Sequence, residues 1–97
     1  MKFEWDNDKA EKNIKKHKIS FEEAVTVLCD PLSLTIADPD HSEEEERFID
    51  IGRSEKDRVL VVVYTQRNQN LRIISCRRAT SAELKFYEEG ETRNDKR

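Results

Sequence analysis

Arg72, Arg77 and Arg78 lie within one ten-residue run, Leu-Arg-Ile-Ile-Ser-Cys-Arg-Arg-Ala-Thr (residues 71–80), that contains no acid. The run reads as an apolar strand that ends in fixed cations and passes at once into a helix start. Guanidinium groups held on a strand suit phosphate, because the planar fork pairs with two oxygens and keeps its charge at any physiological pH. The same residues also read as an ordinary edge strand with solvated arginines. A regular strand sends Arg72 and Arg77 to opposite faces, since their separation is odd. Either the strand bulges near Cys76, or only one of the two meets a ligand.

The charge pattern extends this reading. Residues 9–18 carry five lysines against Glu11, giving +4, and residues 67–78 carry four arginines and no acid, again +4. Between them, residues 38–46 hold Asp38, Asp40 and four glutamates, giving −6. The net charge of −3 therefore hides two basic segments and one acidic loop. If folding brings the basic segments together, an anion site can exist on a mildly acidic protein.

Several chemistries are set aside by what the chain lacks. Gly52 and Gly90 are the only glycines, so no glycine-rich phosphate loop exists. Cys29 and Cys76 show no CxxC or Cys/His ligand spacing and read as free thiols and small core residues. The acids of residues 38–46 lack the glycine and spacing of a calcium loop, so no metal and no cofactor is expected. No apolar run is long enough for a bilayer and no signal-peptide pattern follows Met1, which points to the cytoplasm.

Ninety-seven residues can close one modest core but not two, and 35% hydrophobic against 40% charged residues makes that core thin. Residues 2–5 alternate as a short strand with Phe3 and Trp5 on one face. Asp8 and Glu11 have capping-box spacing for a helix to about residue 16, whose weak apolar stripe is Ala10, Ile14 and His17. Ser20 and Glu23 cap a second helix, with Ile19 stapled to Ala24 and Phe21, Ala24, Val25 and Leu28 on its buried face. Asp30-Pro31 stops it.

Four strands follow, over residues 32–37, 47–52, 59–64 and 71–78, joined by short loops that favour antiparallel pairing. The continuous run at 59–64 is the central strand. Thr80 and Glu83 cap a last helix that Gly90 ends, and residues 91–97 read as a disordered charged tail. The expected order is β-α-α-β-β-β-β-α, one α+β domain over residues 1–90 with an antiparallel-rich sheet of about five strands.

The residues also carry a resemblance. Phe-Glu-Trp-Asp at 3–6, Lys-Lys-His at 15–17, Ser-Phe-Glu-Glu-Ala at 20–24, Asp-Pro-Leu at 30–32 and Asp-Pro-Asp-His-Ser at 38–42 resemble the BrnT toxin family. So do Glu45-x-Arg47, Val61-Val-Val63 and the final Arg-Ile-Ile-Ser-x-Arg-Arg-Ala-Thr. The likeness spans residues 3–88. It departs at Lys18, where the family usually has glycine, and at Cys76, where it usually has alanine.

The resemblance implies a RelE-like ribonuclease fold and a type II toxin–antitoxin module. It also implies a DNA-binding, BrnA-like antitoxin, a heterotetramer with it, and contact with operator DNA only through it. The implied chemistry is metal-independent cleavage of mRNA, in which a ribose 2′-hydroxyl attacks the adjacent phosphate and translation is inhibited. Such a site needs a base, an acid and cations for the charge growing on phosphorus. Arg72, Arg77 and Arg47 are the candidate cations.

His17, at the end of a lysine-rich helix, is the candidate acid or base, against the reading of a packed helix-end histidine. Lys12, Lys15, Lys16 and Arg78 are candidates for the RNA backbone, or else a solvated face. His41 reads as a turn residue, and Glu45 and Tyr64 as lesser helpers. The other functional reading is a non-catalytic or decayed toxin fold that acts as co-repressor with a DNA-binding antitoxin.

Overall fold

A computed structural model describes residues 2–38 and 46–95. Among them the order is β1 (Lys2–Glu4), α1 (Asn7–His17), α2 (Phe21–Leu28), β2 (Leu34–Ala37), β3 (Arg47–Arg53), β4 (Val59–Arg67), β5 (Asn70–Arg78) and α3 (Ser81–Asp95). This is the expected α+β order. His41, Glu45 and most of the acidic run lie outside the described residues. No helix among those described is long and apolar enough to cross a membrane.

The strands form one mixed sheet in the order β1-β5-β4-β3-β2. β2 to β5 pair antiparallel, as short loops require, whereas β1 lies parallel to β5 at the sheet edge. β4 is central, and its apolar run serves both faces. Leu60, Val62 and Tyr64 join Ile73 and Cys76 of β5 beneath Ile19, Phe21, Ala24 and Val27. Val61 points the other way, packing with Ile51 and Tyr87 of α3. Phe21 is fully buried, a contribution of about 2–3 kcal/mol for a side chain of its size.

Local signals were met in part. Ser20 Oγ accepts from the Glu23 N–H at 3.1 Å, but the Glu23 carboxylate does not reach back. It is buried instead, taking Ser54 Oγ–H at 2.6 Å and a two-pronged pair from Arg58, which holds it below the usual carboxylate range. Asp30 does more than stop α2. Its carboxylate accepts from the N–H groups of Leu32 and Arg53 and from Tyr87 Oη, tying the end of α2 to β3 and α3.

α1 is capped by Asp6, whose Oδ1 accepts from Asp8 and Lys9, and not by an Asp8–Glu11 box. It ends with Lys18 in the left-handed region at φ 62°, so the glycine geometry is kept at a cost of about 1–2 kcal/mol. β2 begins at Leu34, two residues later than expected, and α3 continues beyond Gly90 to Asp95. Cys76 is buried, its thiol pushed up to about 12 by that burial, but Cys29 is exposed at the end of α2, contrary to the core reading.

The docking of α1 corrects the expected apolar stripe. Ile14 faces solvent, 46% exposed, and the buried residue of the helix is Asn13. Its Nδ2 donates to Ile19 O at 2.9 Å and Cys76 O at 2.8 Å, while Oδ1 accepts from Cys76 N at 3.1 Å. β1 pairs with β5 only at residues 70–72. Beyond it, the Asn13 amide takes the place of a neighbouring strand and satisfies the β5 edge, as a buried backbone requires.

Candidate active site

The parity conflict between Arg72 and Arg77 is resolved by one residue. β4 pairs Val63 with Ser75 and Tyr64 with Ile73, so Ile74 is the extra residue of a bulge in β5. Arg72 then lies opposite Thr65, and Arg77 opposite Val61. Both belong to the face away from α1 and α2. Arg47 also pairs with Thr65, so Glu4, Arg72, Thr65 and Arg47 form one row across four strands. Residues directly opposite on neighbouring strands share a face. Two inter-strand steps separate Arg72 from Arg47, about 10 Å.

α3 covers only one end of this face, through Tyr87 over Ile51 and Val61. The half with Arg47, Arg72, Ile49, Val63 and Ser75 is left half-buried. Thr65 sits beneath the row, fully buried, with its hydroxyl unpartnered among the described residues.

The arginines differ in how free they are. Arg77 grips Glu83 with both prongs, Nη1 to Oε1 at 2.7 Å and Nη2 to Oε2 at 2.9 Å. Glu83 also closes the Thr80 capping box, its Oε1 accepting from the Thr80 N–H and its own N–H donating to Thr80 Oγ. The Arg77 bond, with help from Thr80 and against partial burial, holds the Glu83 carboxyl down to about 2.

Arg77 thus has a structural duty the sequence reading did not assign, locking the end of β5 to the start of α3. Arg72 makes a single 3.4 Å contact with Glu4 Oε2. Its charge also adds to the Lys9 and Asp8 N–H bonds that keep Asp6 below its ordinary value. Arg47 has no ion-pair partner among the described residues; its carbonyl accepts from the Asp38 N–H.

His17 is not on this face. It is half-buried at the end of α1, in a groove of about 280 Å³ with Lys9, Lys12 and Lys16 on one wall and Ile74 and Ser75 on the other. Ser75 belongs by register to the arginine face, so the groove meets that face at the bulged edge of β5. Lys15 points away from the groove and is exposed, and Arg78 pairs with Leu60 on the opposite face. Tyr64 is likewise on the covered side, its hydroxyl donating to buried Asp50 and pushed up to about 12 by burial and that carboxylate.

Sequence reading missed Lys9, Asn13, Glu4 and Thr65. Lys9, Lys12 and Lys16 stand at i, i+3 and i+7, a spacing that would have separated them from Lys15. Among the described residues no three His, Cys, Asp or Glu side chains gather as metal ligands.

Comparison with curated proteins gives no match. A family model for the ribonuclease toxin BrnT of type II toxin–antitoxin systems matches residues 5–83. The crystal structure of the Brucella abortus ribonuclease toxin BrnT superposes with a TM-score of 0.62 at 25% identity, covering 84% of this chain and 99% of that one. With most of its length matched by that family and its fold shared with a solved member, the chain belongs to the BrnT family of ribonuclease toxins, whose type II modules pair the toxin with an antitoxin.

Proposed function

We propose that the protein is a cytoplasmic, metal-independent endoribonuclease that cleaves mRNA by attack of a ribose 2′-hydroxyl on the adjacent phosphate. A DNA-binding antitoxin, through which alone operator DNA is met, holds it inactive. The observation that carries this reading is the Ile74 bulge, which gathers Arg72 and Arg77 with Arg47 on an open sheet face beside the lysine groove.

In this reading the RNA backbone runs along Lys9, Lys12 and Lys16 and turns over the β5 edge onto the arginines. Arg72 and Arg47 take the phosphate oxygens as charge grows on phosphorus. His17 protonates the leaving 5′-oxygen. Arg77 braces α3 and closes the rim.

The test is cleavage of labelled RNA, free and on translating ribosomes, with and without EDTA. Wild-type activity should survive EDTA, and an Arg72→Ala, Arg47→Ala double variant should lose at least 10²-fold, about the loss of one or more transition-state donors. Undiminished cleavage by the double variant rejects the site. Absence of cleavage by the wild type, with tight antitoxin binding retained, favours the co-repressor reading.

A further inference from the structure

The reaction proposed above needs a base for the 2′-hydroxyl, and we infer that it is the carboxylate of Glu4. This rests on the ribonuclease reading and adds to it the residue that starts the reaction. Glu4 belongs to the row that holds Arg72, Thr65 and Arg47. It is 39% exposed at the side chain and meets Arg72 Nη1 through Oε2 alone, at 3.4 Å. Oε1 has no partner among the described residues.

The other described carboxylates that are at least half-buried are committed elsewhere. Glu83 gives both oxygens to Arg77 and Thr80. Glu23 is buried under Arg58 and Ser54, and Asp30 is bound by Arg53, Leu32 and Tyr87. Asp50 is buried on the opposite face against Tyr64. Asp6 caps α1. Asp38, beside Arg47, is 8% exposed and already engaged. Glu46, exposed and next to Arg47 in the chain, belongs to no strand pairing, whereas Glu4 lies in register with Arg72 and Arg47 and combines access with a spare oxygen.

A phosphate bound between Arg72 and Arg47 brings the preceding ribose toward the Glu4 end of the row. The 2′-O–H bond breaks and its proton passes to Glu4 Oε1. The 2′-oxygen forms the new bond to phosphorus, and the P–O5′ bond breaks. The 5′-oxygen keeps that electron pair and takes a proton from His17. The products are a 2′,3′-cyclic phosphate and a 5′-hydroxyl end. The single Arg72 contact fixes the carboxylate without consuming it, whereas the two-pronged grip on Glu83 leaves nothing to accept a proton.

The experiment uses the full chain and a 5′-labelled single-stranded RNA, with and without ribosomes, under single-turnover conditions from pH 3 to 9. RNA affinity is followed by anisotropy and folding by thermal unfolding. Glu4→Gln should cut the cleavage rate by 10²–10⁴-fold, the usual range for a general base, with affinity within about threefold of wild type. It should also erase the acid limb of the pH–rate profile.

Glu4→Asp should cleave slowly but keep that limb, and it serves if Glu4→Gln unfolds. Wild-type cleavage matched by a folded Glu4→Gln protein overturns the assignment of Glu4 alone. So does a lower rate with the acid limb intact and affinity lost, which would make Glu4 only the holder of Arg72. A wild type that cleaves neither RNA nor translated message overturns the ribonuclease reading itself.

Discussion

Replacing Asn13 with leucine keeps the four-atom branched shape on the buried side of α1, in a somewhat larger side chain, and removes the polar amide. Three backbone groups then lose their partners, the Cys76 N–H and the carbonyls of Cys76 and Ile19, bonded at 3.1, 2.8 and 2.9 Å. Both residues are essentially inaccessible to water. An unpaired buried group costs about 1–3 kcal/mol, the N–H most, because each carbonyl has a second lone pair. Leucine returns roughly 0.5 kcal/mol of helix propensity. The net loss is about 3 kcal/mol, and for a domain of this length that lowers Tm by roughly 12–24 °C. Urea unfolding should show the same loss with an unchanged m-value. Ile14→Ser is the control, expected within about 0.5 kcal/mol of wild type because Ile14 faces solvent. If Ile14→Ser proves costlier than Asn13→Leu, α1 docks by an apolar stripe and the reasoning fails.

The Arg77–Glu83 pair makes stability depend on pH with a definite sign. The Glu83 pKa is lowered from 4.5 to about 2, so its contribution is complete above 4.5 and is lost as pH falls through the folded value. If buried, such a pair would be worth about 3 kcal/mol; with side chains 42% and 26% exposed, screening reduces it to about 1 kcal/mol. The Tm difference between wild type and Glu83→Gln should therefore be several degrees at pH 7 and less than half of that at pH 3; a constant difference refutes the ion pair. Gly52→Ala probes packing at the end of β3, where an added Cβ meets Ser33 Cβ at 3.0 Å, Val27 Cγ1 at 3.1 Å and Asp30 Oδ2 at 3.2 Å. It should cost about 1–3 kcal/mol in urea unfolding, and a neutral result would mean the Asp30 cluster yields freely.

Much of the architecture was legible because it is local. Period-2 runs, the Ser20 cap, the Thr80–Glu83 capping box and the Asp30-Pro31 stop are written in residues a few positions apart, and they specify the elements and their order. Ile14 was misread because apolar spacing cannot tell a stripe from a solvent-facing residue when a polar neighbour makes the contact. Asn13 is legible only once Cys76, 63 positions away, is beside it. Arg77 looked unobligated because the capping glutamate serves the strand end as well as the helix.

The element order, the basic character of residues 9–18 and 67–78, and the family resemblance are all carried by short stretches of the chain. Which cations share a face depends instead on how distant strands pair. A two-residue side-chain period makes every facing in β5 depend on one inserted residue, and whether Ile74 bulges is set by pairing with β4, not by the sequence of β5. The pairing of β1 with β5 put Glu4 beside Arg72, 68 positions apart, and the docking of α1 left His17 at the edge of the arginine face. A charge count along the chain holds none of those distances.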